Sequence, residues 1–259
     1  MTPTKNRKPK TENPTPRRFF AAPEQFSGNE IILSPAETHH LTRVLRLSQG
    51  AQVEIFDGQG KEYEARIIAF EDQGARLQLL SEHPGLGESP LSITLGLALA
   101  RSDTFDLAIR QATEMGVNKF IPFFSERSIV KPESWSHSRL GRWERLARET
   151  LKSSQRRLLP RIELPVSLEE VIQAAEDVKI IFWEETRRHT SNTALSAIPA
   201  PRSVRLLIGP EGGFTPAEVD LARSAGFMVL GLGPRRLKVE TATLAALTIL
   251  QYSWGDLTL

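Results

Sequence analysis

The chain of 259 residues contains no cysteine, which excludes disulfides and thiolate metal ligation. Its 33 Lys and Arg against 31 Asp and Glu leave a formal net charge of +2, so any attraction to a polyanion must come from where the basic residues lie. No apolar run approaches a membrane span and no signal-peptide core follows the basic amino terminus, so the expected compartment is the cytoplasm; the length calls for two domains of unequal size.

Lys5, Arg7, Lys8, Lys10, Arg17 and Arg18 face only Glu12 in the first stretch, interrupted by Pro3, Pro9, Pro14 and Pro16. That composition predicts a disordered basic arm over residues 1–17. A region of short strands follows over 18–84. Ser34, Pro35 and Glu37 have the spacing of a capped helix start, giving a short helix that carries His39 and His40. Neighbouring helical residues diverge and no further ligand follows at metal spacing, so no metal is expected there. Strands are predicted over Ala51 to Asp57, Lys61 to Phe70 and Ala75 to Leu80, with Tyr63, Ala65, Ile67 and Ala69 on one face. Several short strands with little helix suggest a small β-barrel.

Two prolines and two glycines between Ser81 and Pro90 mark a boundary, after which strands and helices alternate over 91–257. Leu91 to Leu99 reads as a strand, and Asp103 as the cap of a helix from Thr104 to Met115. Val117 to Phe123 is the next strand, and the polar turn Ser125 Glu126 Arg127 Ser128 follows. A basic helix from about Trp135 to Ser154 buries Trp143, Leu146, Ala147, Thr150 and Leu151, while Arg142, Arg145 and Lys152 lie towards the other side. Arg156, Arg157 and Arg161 prolong its charge. An anionic polymer would meet such a run, although a solvated helix face has the same pattern.

A helix around Leu168 to Ala175 and strands over Val178 to Trp183, Val204 to Ile208 and Phe227 to Leu232 complete an α/β domain with a parallel sheet. Ile208 to Phe214 reads Ile-Gly-Pro-Glu-Gly-Gly-Phe, and Thr215, Pro216 and Glu218 then supply a helix cap, first residue and capping-box partner. A glycine loop between strand and helix lies at the carboxyl edge of a sheet, where α/β proteins bind ligands, and Gly212 and Gly213 would let a ligand approach the backbone. The loop lacks the spacing of a phosphate or dinucleotide motif. A second glycine loop, Gly231 to Lys238, leads into a helix from Glu240 to Trp254 that is apolar nearly all round, which requires burial in the domain or against a second subunit.

His39 His40 with Val44 Leu45 Arg46, the block Ala112 to Val117, Ser125 to Ser128, Ile208 to Phe214, and Leu232 to Arg235 with Thr241 Ala242 together resemble one family. It is the bacterial small-subunit (16S) ribosomal RNA N3-uridine methyltransferase family. The resemblance spans about Arg18 to Tyr252. It implies an S-adenosyl-L-methionine-dependent enzyme of the SPOUT class, an α/β domain with a carboxyl-terminal trefoil knot, and before it a PUA-like RNA-binding β-barrel. It also implies a homodimer formed through the carboxyl-terminal domain, with 16S ribosomal RNA or the small ribosomal subunit as partner.

Carried over by position, Trp183 and Glu184, then Gly209, Pro210 and Gly212, then Leu230, Leu232, Gly233 and Leu237 with Thr241 would hold the cofactor. Glu211 would shape its loop. Lys238 stands where the family prefers Arg, Arg236 where it usually has an aliphatic residue, Ser153 where Gln is common and Gln111 where Lys is common. Methylation at N3 of uridine requires loss of a weakly acidic N–H. Arg235 and Lys238 would favour the anion, and Glu240 would orient one of them or accept the proton; a plain carboxylate at a helix N-terminus has the same sequence appearance. Arg18, Arg46, Arg127, Arg142, Arg145, Arg156 and Arg157 are the expected RNA contacts. An RNA-binding module without catalysis, a related enzyme acting on another RNA, and a nucleotide-phosphate enzyme stay open as alternatives. Cofactor calorimetry separates the first and last of these from the methyltransferase reading.

Overall fold

The computed structural model describes residues 17–83, 87–186 and 195–257. Apart from Arg17, the basic arm expected over 1–17 lies outside them. The described residues fall into two compact units, one before residue 84 and one after it.

The smaller unit is built on strands β1 (Arg18–Phe20), β2 (Phe26–Ser27), β3 (Glu30–Ile32), β4 (Gln52–Phe56), β5 (Glu62–Glu71) and β6 (Gly74–His83). They pair in the order β1-β4-β5-β6-β3-β2, antiparallel except for β1 on β4. Alternation along the strands puts Val53 and Ile55, Ala65 and Ile67, and Ala75 and Leu77 into one core with Phe19, Ile31 and Leu41. The expected single face of β5 is broken by register shifts at Glu64/Ala65 and Ile67/Ala69. Tyr63 and Ala69 therefore stay partly exposed, and Glu62 is buried. Ser34 caps the helix Pro35–His39 through the Glu37 N–H, and the chain continues as a wider turn over His40–Val44. Beyond that turn Arg46 takes a left-handed conformation, φ 53°.

In the larger unit β7 (Ser92–Ala98), β8 (Lys119–Phe124), β9 (Arg161–Ile162), β10 (Val166–Ser167), β11 (Val178–Phe182), β12 (Ser203–Ile208) and β13 (Met228–Leu230) form a seven-stranded sheet. Every pairing is parallel, in the order β10-β8-β7-β12-β11-β13 with β9 also on β8. Helices cover both faces, so the central strands are continuous apolar runs rather than alternating ones. On one face Leu206 and Ile208 meet Phe105, Ala108, Trp143, Leu247 and Leu250. On the other, Leu207 meets Val171, Phe214, Val219 and Ala222.

Some element limits move for identifiable reasons. The helix expected from Thr104 starts at Ser102, with Asp103 inside its first turn and Arg101 at the cap position without a side-chain cap. The Arg101 N–H instead donates to the Glu211 carboxylate, 3.0 Å away. The basic helix begins at Ser138, because Trp135 closes a 3-10 turn over Pro132–Ser134 and packs against Trp143. The helix expected to reach Ala175 is a single turn, Leu168–Val171. Arg205 takes the Val171 and Gln173 carbonyls at 2.8 and 3.1 Å, groups that a continuing helix would use itself.

The last helix, Val239–Trp254, is docked by Gln251, which is buried. Its amide donates to the Met115 carbonyl at 2.7 Å, and its oxygen accepts the Ser89 hydroxyl at 2.7 Å. Among the described residues no helix is long and apolar enough to cross a membrane.

Candidate functional site

Strand β11 lies between β12 and β13, both of which follow it in the chain. At the carboxyl ends of these neighbours the chain leaves the sheet in three loops, a position where parallel sheets open a crevice. The loops enclose a cavity of about 220 Å3. Of the residues expected to bind a cofactor, Trp183, Glu184, Gly209, Pro210, Gly212, Leu232, Gly233 and Leu237 line it. Leu230 is buried behind the wall, where its carbonyl accepts the Trp183 N–H at 2.9 Å. Thr241 is exposed and stands off the lining.

The loop Gly209 to Gly213 is fixed from several directions. It closes on itself by a Gly213 N–H to Pro210 carbonyl bond of 2.9 Å, with Gly213 at φ 69°. A Cβ on Gly212 would stand 2.9 Å from the Arg127 Cβ, and one on Gly213 would stand 2.0 Å from the Glu184 carboxylate. The two glycines therefore make room for the protein's own Arg127 and Glu184. Both glycines also line the cavity. Glu211 holds the Arg101 N–H, in keeping with a loop-shaping role.

Thr215 accepts the Glu218 N–H at 3.3 Å and Glu218 accepts the Thr215 N–H at 2.8 Å, completing the capping box at the start of Pro216–Ser224. The other Glu218 oxygen, Oε1, accepts the Ser125 hydroxyl at 2.8 Å and the Glu126 N–H at 2.9 Å.

Arg235 and Arg236 line the cavity, while Lys238 and Glu240 do not. Lys238 occupies the cap position of the last helix and Glu240 its first turn. All three cations are exposed, and among the described residues none of them makes an ion pair or hydrogen bond through its side chain. Glu240 pairs with neither Arg235 nor Lys238, and it stands where a carboxylate meets the positive end of the helix dipole. Phe182, at the end of its strand, and Ile208 and Phe214, which bound the glycine loop, also line the cavity; Val239 and Ala242 do so as well and were not expected from the sequence.

The expected RNA contacts separate into surface and interior groups. Arg46 and Arg145 are exposed. Arg127 is exposed and its Nη1 donates to the Gly212 carbonyl at 3.1 Å. Arg142 is half-exposed and pairs with Asp106. Arg157 is partly buried, with its N–H on Glu88 at 3.0 Å.

Arg18 and Arg156 are corrections, because both are internal. Arg18 donates to Glu62 at 2.7 Å and lies 4.7 Å over the Phe56 ring. Burial, then the Glu62 charge, raises the nearby Glu54 carboxyl, and Arg18 only partly offsets this. Arg156 makes two bonds to one Glu88 oxygen, 3.0 and 2.8 Å, and reaches the Thr113 and Val117 carbonyls at 2.7 and 3.0 Å. Burial alone would raise the Glu88 carboxyl, but the Arg156 charge and the N–H groups of Arg157 and Leu158 outweigh it and hold it below the ordinary range. Desolvation keeps both guanidiniums away from phosphate.

Two family models match the chain: an RNA methyltransferase domain over residues 87–251 and an RNA methyltransferase PUA domain over 33–80. The chain is 33% identical to the ribosomal RNA small subunit methyltransferase E of Synechocystis, over 89% of this chain and 75% of that protein. It is 30% identical to the protein of the same name from Bacillus subtilis, over 83% and 87%. A solved structure of ribosomal RNA small subunit methyltransferase E from Neisseria gonorrhoeae, bound to S-adenosyl methionine, superposes with a TM-score of 0.84 at 33% identity, covering 94% of this chain and 100% of that one. A methyltransferase from Legionella pneumophila, solved with bound cofactor SAM, gives 0.85 at 31% identity, covering 93% and 99%.

Proposed function

The chain belongs to the ribosomal RNA small subunit methyltransferase E family, and from that premise we propose that it methylates N3 of one uridine in small-subunit ribosomal RNA. The methyl donor is S-adenosyl-L-methionine. The residues present fit that group. Ile208, Leu232 and Leu237 give apolar walls for a purine, and the glycine loops bring backbone polar groups to the edge of the same cavity. Among the described residues no three His, Asp or Glu side chains converge on a common metal position. When bound, the donor carries its own leaving group, so the protein has to supply positioning and electrostatics.

The unpaired guanidinium of Arg235 at the cavity rim carries the proposal. The N3 proton of uridine is weakly acidic, and a cation facing the base favours the anion that attacks. Lys238, between the lining residues Leu237 and Val239, adds positive potential. N3 lies on the pairing edge, so the target uridine has to be unpaired or turned out of a helix. Arg127, Arg142 and Arg145, with Arg46 on the smaller unit, are the surface cations proposed to meet phosphate.

We also propose the finer architecture that the resemblance implies. The smaller unit is a PUA-like barrel, a reading supported by six paired strands that share one apolar core. The run after β13 is the knotted segment, supported by a last helix that packs back towards Ser89 and Met115. A second copy covers the partly exposed Leu244, Ala245 and Ile249 and the exposed Tyr252 of that helix. The cytoplasm, where ribosomal RNA resides, is the proposed compartment.

Primer extension on small-subunit ribosomal RNA from a deletion strain tests the activity. An N3-methyl group blocks pairing, so a reverse-transcription stop present in the parent should vanish on deletion and return when the RNA is treated with purified protein and S-adenosyl-L-methionine. An unchanged pattern of stops sinks the reading. Gly212→Val addresses the cofactor loop separately. Its side chain would displace Arg127, and calorimetry should find cofactor binding weakened by about tenfold, the scale of one disturbed contact set. Unchanged affinity would place the cofactor elsewhere.

A further inference from the structure

The structure assigns Glu218 as a positioning residue that joins the turn Ser125–Ser128 to the loop Gly209–Gly213. This rests on the proposal that the loop holds the cofactor. An ordinary capping-box carboxylate has one partner, the N–H of its own cap residue. The chain contains such a case at Ser167, where Glu170 accepts the Ser167 N–H at 2.8 Å and remains exposed. Glu218 has the same local motif and differs in two respects. It is buried, and its second oxygen accepts two donors from the end of β8, at 2.8 and 2.9 Å.

Three donors around one carboxylate at a helix N-terminus need acceptor lone pairs on both oxygens. An amide in this place presents N–H groups to N–H groups on one side. The consequence reaches the cavity through Arg127. That residue sits in the pinned turn, fills the space beside Gly212 and donates to its carbonyl. Thr215, held by the other Glu218 oxygen, is the cap that directly follows Phe214 and the loop. Glu218 thus fixes both sides of the Gly212 contact without itself lining the cavity.

Titration of the full chain with S-adenosyl-L-methionine by calorimetry, alongside melting curves, tests this. Glu218→Gln, close in volume, should bind the cofactor about tenfold more weakly. Ser125→Ala, which removes one donor and leaves the helix cap intact, should bind it about threefold more weakly. Ser167→Ala loses a helix cap that does not line the cavity and should lower the melting temperature without changing cofactor affinity. Affinity within twofold of wild type in both Glu218→Gln and Ser125→Ala overturns the inference. So does a loss in Ser167→Ala equal to that in Glu218→Gln. Wild-type protein that binds no S-adenosyl-L-methionine overturns the functional reading, and this inference falls with it; wild-type binding with unaffected variants overturns this inference alone.

Discussion

Arg235→Ala is expected to lower kcat for methyl transfer by on the order of 100-fold, the effect of removing one donor aimed at developing charge. Cofactor affinity and thermal stability should stay close to wild type. Arg235 is exposed and has no partner among the described residues, so its loss leaves no buried group unsatisfied. Such surface changes usually alter stability by less than about 0.5 kcal/mol. The informative quantity is the separation of kcat from KM. Raising the pH should partly restore Arg235→Ala, because the imide proton then leaves without help from a cation. Lys238→Ala should have a smaller effect, since its side chain stands off the cavity. A variant with full kcat would remove Arg235 from the chemistry and leave Arg236, on the same rim, as the cation to examine.

Arg156→Ala is expected to destabilise the larger unit by about 3–5 kcal/mol, the range for breaking one partner out of a buried ion pair. For a unit of this size that corresponds to a melting temperature roughly 10 °C lower. RNA affinity should be unchanged, because the guanidinium is enclosed by Glu88 and two carbonyls. The pH dependence gives a second readout. The Glu88 carboxyl is held below its ordinary value of 4.5 in the fold. Its contribution to stability is therefore complete above that value and is lost as pH falls through the lower, folded-state pKa. Wild type should lose stability steeply in that acid window, and Arg156→Ala should lose it less steeply. A variant that melts like wild type but binds RNA tenfold more weakly would return Arg156 to the surface set.

Local chemistry made much of the fold readable. The Thr215, Pro216 and Glu218 cap, the apolar stripe of the basic helix and the long parallel strands follow from spacings of a few residues. The order of strand, glycine loop and helix pointed to the carboxyl edge of the sheet, but the residues expected there follow from the family resemblance and not from spacing. Partners distant in the chain were not readable. Arg18 and Arg156 look like surface cations in the sequence, and only Glu62 and Glu88, brought up by the fold, turn them inward. The same limit applies to Gly212 and Gly213, because nothing nearby in the sequence indicates that Arg127 and Glu184 will occupy the space they leave. The end of the one-turn helix at Val171 was likewise set by Arg205, a residue on another strand.

The docking of the last helix has a kinetic consequence. Ser89 and Gln251 are 162 positions apart, so the bond between them closes one of the longest loops available to this unit. Closing such loops costs chain entropy before any contact rewards it, which slows folding. The cavity walls are drawn from residues 182 to 242, and their final arrangement depends on that helix, which contributes Val239 and Ala242 to them. Refolding followed by far-ultraviolet circular dichroism should therefore recover the sheet and helices first, and competence to bind the methyl donor should lag behind them.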